Sequence, residues 1–214
     1  ETKAGGLFSY VDKCIIKHGR IYIYQFLGGK SQRLLVFNEL DGKFLFSIGG
    51  NGNSPSQYKF LKGFDVGESY IYLLDINRLH LKKYTLNGKF IKNKQLPFEY
   101  PDAFVKLNNG GYLFSLEKTD INKPKVVKTD SLFKIKDSFF TYKDFDTDFV
   151  MGFNVFRKND KFISYNKAVN DSIFLFSHSG NVDKTILINF KDRKVPKKHS
   201  KDFSKLRRLN KKNR

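Results

Sequence analysis

Tryptophan is absent from this sequence, and cysteine and methionine occur once each. The single thiol, Cys14, excludes an internal disulfide and any zinc site built on paired cysteines. Flanked by Ile15 and Ile16, it is predicted to be a buried structural thiol, and it leaves the redox compartment open. Four histidines, His18, His80, His178 and His199, are scattered without the spacing of metal ligands. No stretch approaches the roughly 18 apolar residues of a membrane span, and no signal peptide is visible. Because the chain starts at Glu1 without methionine, it reads as a processed or trimmed product, from which an export signal could have been removed. Acidic residues are scarce, 21 against 40 basic ones, and the net charge is +19. That excess looks like a nucleic-acid footprint until its position is considered. Residues 191–214 hold 12 Lys or Arg and two Asp, so about half of it belongs to a basic tail that includes Lys197, Lys198, Arg207, Arg208, Lys211 and Lys212. Such a block reads first as a solvated segment.

What the chain has in quantity is aromatic residues, with 23 Phe and 11 Tyr, and short apolar runs separated by turn residues. Leu34 to Phe37 is followed by Asp41-Gly42-Lys43-Phe44, and Leu79 to Tyr84 by Asn87-Gly88-Lys89-Phe90. Each set spells a β-hairpin, with a type I′ turn expected at Asp41-Gly42 and at Asn87-Gly88. Gly42 and Gly88 lie 46 residues apart, and Gly180 follows at twice that interval from Gly88. A period of that length suits a four-stranded propeller blade of roughly 40 to 50 residues.

Four such units can be traced, with almost no helical periodicity between them. Val11 to Lys17 and Ile21 to Tyr24 open the first around the short turn His18-Gly19-Arg20. Gly49 to Tyr58 is glycine-rich, but no Gly-Lys-Ser/Thr follows, so it reads as a connection between blades and not as a phosphate loop. Phe64 to Val66 and Tyr70 to Leu74 are the inner strands of the second unit, after which Asp75 is expected to bond its own backbone and fix a turn. In the third unit Asp130-Ser131 occupies the place of Asn87-Gly88, with a strand expected over Leu132 to Ile135. The fourth runs from Phe153 to Ile188, and within it Ser177-His178-Ser179 flanks a turn with no acid placed to orient the imidazole. The predicted organisation is a flexible lead-in over 1–10, a partial β-propeller over 11–190, and a basic tail or the start of a further blade over 191–214. Ser200 is expected to cap a short helix carrying Phe203, Leu206 and Leu209.

In their order and spacing, Val36-Phe37 with Asp41-Gly42-Lys43-Phe44, Gly50 through Tyr58, and Ile71-Tyr72-Leu73-Leu74-Asp75 resemble the blade phrases of one family. These are the six-bladed β-propellers of Bacteroidales cell envelopes, relatives of NHL-repeat proteins. The resemblance covers about Val11 to Phe190, four blades of the family's six. It departs where the family has Gly-Pro-Gly-Glu-Tyr and this chain has Ser54-Pro55-Ser56-Gln57-Tyr58, so a role resting on that Glu does not carry over. The resemblance implies a periplasmic protein or outer-membrane lipoprotein of a Gram-negative envelope, with a lipid anchor in the precursor, and no catalytic residue.

The expected function is therefore a non-enzymatic binding scaffold for a glycan, peptide or protein, with no cofactor and no metal site. Loops at Gln25 to Gln32, Asn51 to Gln57 and Asp144 to Met151 would present it. Two alternatives stay open: a propeller lyase or hydrolase with a metal site in its channel, and nucleic-acid binding through the basic face and tail. Four blades of a six-blade type would leave apolar faces for a protein partner or a second copy to cover.

Overall fold

The structure, a computed structural model, describes residues 11–26, 32–117, 120, 122–141, 155–166 and 171–191. Among them sixteen strands form four antiparallel four-stranded sheets, the blades of an all-β propeller. The first sheet holds β1 (Lys13–Lys17), β2 (Arg20–Phe26), β3 (Gln32–Asn38) and β4 (Phe44–Ile48) in sequence order. The second holds β5 (Leu61–Val66), β6 (Tyr70–Asp75), β7 (His80–Thr85) and β8 (Phe90–Gln95). In the third are β9 (Pro101–Lys106), β10 (Tyr112–Leu116), β11 (Pro124–Thr129) and β12 (Ile135–Thr141), and in the fourth β13 (Phe156–Lys158), β14 (Ile163–Tyr165), β15 (Ser172–Phe176) and β16 (Val182–Leu187). The chain divides into two compact units, Glu1–Lys106 and Leu107–Arg214.

The hairpins are more alike than the sequence suggests, because the third and fourth strands of every blade share one irregularity. The register shifts between Val36 and Phe37, Lys83 and Tyr84, Lys128 and Thr129, and Leu175 and Phe176. This corrects the type I′ expectation. At Gly88 the Gly88 amide donates to the Thr85 carbonyl and the Thr85 amide to the Lys89 carbonyl, and Gly88 has φ 77°. That is a type I turn closed by a left-handed residue and a bulge, a three-residue loop. The same bonds recur around Gly180, from Ser177 to Asn181. The loop at Gly42 is one residue longer, since the Gly42 amide reaches the Asn38 carbonyl and the Asn38 amide the Lys43 carbonyl. A two-residue turn with positive φ at both positions occurs instead at His18 and Gly19, 56° and 68°, between the paired Lys17 and Arg20.

In the third blade the equivalent of Gly88 is Phe133, with φ 67°. Its amide donates to the Asp130 carbonyl, the Asp130 amide to the Lys134 carbonyl, and the Asp130 carboxylate accepts from Leu132 and Lys134. Asp130-Ser131 thus opens the turn where Asn87-Gly88 closes it, and the outer strand starts only at Ile135, the last residue of the segment expected to be strand.

Within the first unit, β-branched and aromatic residues of the first two blades share one core that includes Tyr22, Tyr24, Leu34, Val36, Tyr58, Phe64, Leu73 and Tyr84. Three tyrosines close it with hydrogen bonds to main chain. The Tyr24 hydroxyl donates to the Leu61 carbonyl (2.5 Å), Tyr58 to Gln32 (2.7 Å) and Tyr84 to Ser56 (2.6 Å). Each phenol fills apolar space with its ring and satisfies a buried carbonyl with its tip. From opposite ends of the β1–β2 hairpin, Lys13 reaches the Phe64 carbonyl, and Arg20 reaches the Leu86 carbonyl and the Asn87 side chain.

Cys14 is exposed, contrary to the expectation of a buried thiol. β1 alternates, and the same period that half-buries Ile15 turns Cys14 and Ile16 outward. The lead-in over 1–10, the loop over 144–151, the helix expected after Ser200 and the basic tail lie outside the described residues, as does most of the loop after Phe26.

Candidate ligand pocket at the Gly49–Tyr58 connection

Gly49 to Tyr58 runs from β4 of the first blade to β5 of the second. Its fold is set by basic and phenolic groups of the β6–β7 hairpin. The Arg78 guanidinium donates to the carbonyls of Gly52, Asn53, Ser54 and Gln57. Lys82 donates to that of Pro55 (3.0 Å), and Tyr84 takes that of Ser56. Carbonyls converging this way could hold a cation, but here the guanidinium already fills that place. Lys82 is fully buried, and burial pushes its pKa down, with nearby Asp75 opposing.

Asp75, also fully buried, accepts from the Lys59 and Phe60 amides, both at 3.1 Å. It therefore ties the start of β5 to the end of β6, and does not fix its own turn as expected; that turn closes through the Leu79 amide and the Ile76 carbonyl. Asp65 is likewise committed, to the amides of Val66 and Lys106.

A cavity of about 260 Å³ opens where this connection leaves the first blade. Gln32, Arg33 and Leu34 at the start of β3 form one wall, Ser47 and Ile48 at the end of β4 another, and Gly49, Gly50, Asn51 and Tyr58 the rest. Leu34 pairs with Ile48 across β3 and β4, so two buried aliphatic side chains lie side by side there. Gly49 has φ 68°, and a Cβ there would stand 3.0 Å from the Tyr58 ring and 3.2 Å from the Tyr84 hydroxyl. Only glycine fits both demands. Beyond it, the Tyr58 amide bonds the Gly50 carbonyl and the Gly52 amide the Tyr58 carbonyl, which brings Tyr58 back against the cavity. Burial first, then the neighbouring Tyr84, holds the Tyr58 phenol well above its ordinary pKa, with Arg33 opposing.

Arg33 stands apart chemically. Its Nε is shut off from solvent and has no hydrogen-bond partner.

The residues singled out by the repeat fall elsewhere. Asp41 accepts from the Lys43 amide and pairs with its ammonium at 3.0 Å, Phe44 packs edge-on to Phe37, and Phe90 packs edge-on to Tyr84. Asn87 accepts from Arg20, and the Lys89 amide donates to Thr85. Gly42, Gly88 and Gly180 hold left-handed turn positions. None of these residues, nor Asp75, lines the cavity. Ser177 and Ser179 bond each other at 2.9 Å in the turn before β16, and His178 gives its carbonyl to the Asn108 amide. Among the described residues no three His, Cys, Asp or Glu side chains come together as a metal site would require.

No curated protein matches the sequence. Among solved structures, a candidate exported protein of Bacteroides fragilis is 24% identical with a TM-score of 0.72, over 86% of this chain and 52% of its own length. A member of the DUF4221 family from Bacteroides vulgatus is 10% identical with a TM-score of 0.53, over 83% of this chain and 57% of its own. These likenesses support the fold, and the chain spans little more than half the length of either protein. Over residues 1–214 the sequence matches a family described only as a domain of unknown function, and the chain belongs to that family, DUF4934.

Proposed function

We propose that this chain is part of an exported propeller of the Gram-negative cell envelope, of the six-bladed type, working as a binding scaffold and not as an enzyme. The observation that carries the reading is the make-up of the cavity at Gly49. Its lining combines Gln32, Arg33, Ser47, Asn51 and Tyr58 with the Gly49–Gly50 backbone, and contains no Asp, Glu, His, Lys or Cys. General acid-base or nucleophilic chemistry needs a group that changes protonation near neutrality or a nucleophile beside a base. The one phenol there, on Tyr58, is held protonated and engaged with the Gln32 carbonyl. Such a wall orients a small molecule, a sugar or a short peptide end, and leaves it unchanged. Envelope placement is supported by the blade phrases and by the candidate exported protein among the structural relatives. Among the described residues no helix is long and apolar enough to cross a membrane.

To test this, the amide resonances of Ser47, Gly49, Gly50 and Asn51 are followed while pools of small sugars and tripeptides are added. Saturable shifts centred on these four residues are expected, with every pool component recovered intact. Conversion of a component, or shifts centred on another part of the chain, would overturn the reading.

A further inference from the structure

Each blade ends in an outer strand, and the four outer strands differ in charge. β4 carries no charged residue, while β12 and β16 carry both signs, Lys136 and Asp137 in one and Asp183 and Lys184 in the other. β8 carries lysine alone, Lys92 and Lys94, two residues apart and so on one face of the sheet. Lys83 of β7 lies directly opposite Lys92 on that face. Like charges so placed destabilise a sheet, and neither of these two ammoniums has an ion pair or a hydrogen bond among the described residues. Lys83 rests over the Tyr70 ring, 3.4 Å from its centroid, which favours its charge. Burial first, then Lys92, pushes its pKa down. Lysine on an edge strand guards that edge against pairing with a like strand, but Lys83 is not on the edge and adds nothing to such a guard.

The edge itself is open. Beyond the bulge opposite Lys83 and Tyr84, β8 runs regularly from Lys92 to Gln95 and is largely exposed. The Leu96 amide donates to the Leu79 carbonyl at the end of the ladder (2.7 Å), and the alternation from that bond turns the main-chain groups of Lys92 and Lys94 toward β7 and those of Asn93 and Gln95 outward. The outward groups meet no other main chain among the described residues. A strand added there sets alternate side chains, about 7 Å apart, beside Lys92 and Lys94, with Lys83 one strand further in. On the opposite face Asn93 and Gln95 present amides. The neighbouring rings do not suit a stacked ligand: Lys83 sits on Tyr70, and Tyr72 is buried with the Lys106 ammonium 5.9 Å from its centroid, so nucleic-acid bases find no platform. We propose that β8 receives an extended acidic segment of another protein as a fifth strand, with carboxylates at alternate positions facing Lys92, Lys94 and Lys83. The site is separate from the cavity at Gly49, whose lining includes none of these residues.

The test uses the 214-residue chain and a set of seven-residue peptides: one alternating threonine and aspartate, its twin with asparagine for aspartate, and one of the same composition as the first with its aspartates consecutive. The alternating peptide is expected to bind saturably, with amide shifts centred on Lys92 to Gln95. The asparagine twin is expected to bind about tenfold more weakly, the loss expected of a few exposed ion pairs, and the consecutive peptide to bind more weakly as well. Methylating one alternate set of the peptide's amide nitrogens is expected to abolish binding and methylating the other set to leave it, because only one set faces β8. Lys92→Glu is expected to abolish binding and to raise the unfolding temperature, since Lys83 then gains a partner. Equal binding of the consecutive peptide or of polygalacturonate, or tolerance of both methylated sets, would reduce β8 to a general anion patch and overturn strand addition. No binding of the alternating peptide, or shifts centred elsewhere, would overturn the site itself. So would a fall of several degrees in unfolding temperature on Lys92→Glu, by showing the lysine pair to be a support of the fold.

Discussion

Phe133 occupies a backbone conformation that costs an L-residue about 1–2 kcal/mol, at the turn position that glycine fills in the second and fourth blades. What holds it there is its ring, 2% exposed and packed on Tyr112 and Phe114 at centroid distances of 5.3 and 6.0 Å. The two effects can be separated by substitution. Phe133→Ala removes the ring and keeps the strain, so a loss of about 3–5 kcal/mol is expected. Phe133→Gly removes both, and is expected to cost about 1 kcal/mol less than alanine. Denaturant unfolding of the two variants checks the order; alanine equal to or better than glycine would show the backbone unstrained. This residue also explains where the sequence reading slipped. In the sequence Asp130-Ser131 matches Asn87-Gly88, because nothing local marks a phenylalanine whose φ is set by rings on another strand. Arg33 is a similar case. It stands in the sequence as one more basic residue ahead of the apolar run Leu34–Phe37, and its unpaired Nε becomes apparent only once the neighbours are in place.

Elements were far more legible than residues, since strands and hairpins follow from alternation and turn composition. Three blades emerge from the spacing of Gly42, Gly88 and Gly180 and the third blade from its strand-turn-strand composition, and the Gly49–Tyr58 stretch is the inter-blade connection that its glycines and the lack of Gly-Lys-Ser/Thr imply. The seam between the first two blades was not legible, because the tyrosines that close it look like ordinary strand aromatics. Tyr24, Tyr58 and Tyr84 are each 1% exposed or less, and burial holds all three phenols well above their ordinary pKa of 10.0. Above about pH 10 the unfolded chain releases these protons while the folded chain keeps them. The unfolded state then binds fewer protons, so stability falls as pH rises. Each phenol contributes about 1.4 kcal/mol per pH unit, and three together about 4 kcal/mol per unit. A steep alkaline unfolding starting above pH 10 is expected, with phenolate absorbance from these three appearing only as the first unit unfolds. Smooth ionisation of all eleven tyrosines in the folded protein would contradict the seam.

At the scale of the whole molecule, burial falls from the inner strands of a blade to its last, and the outer strands β8 and β12 are largely exposed as β16 is; what sets β16 apart is how many aliphatic residues it exposes. The first strands of the middle blades, β5 and β9, are almost wholly buried, whereas β1 leaves Cys14 and Ile16 exposed. In the last blade β16 is exposed along its length, with Val182, Ile186 and Leu187 facing solvent and Leu187 74% exposed; Ile188 and Phe190 continue the patch. Propellers protect such strands by packing blade on blade, and an uncovered apolar edge strand is a template for association. Full burial of one aliphatic side chain contributes about 1.5–3 kcal/mol, and these residues are already partly covered. Association costs roughly 4–15 kcal/mol in lost freedom, so a partner or second copy held by this strand is near the margin and one charge should tip it off. The purified 214-residue chain is expected to self-associate at micromolar concentration, giving a light-scattering mass above that of one chain. Leu187→Glu, at an exposed site that spares the core, is expected to restore the single-chain mass without lowering the unfolding temperature. A stable, compact monomer of the unaltered chain by light and small-angle X-ray scattering would mean that the exposed strand needs no cover.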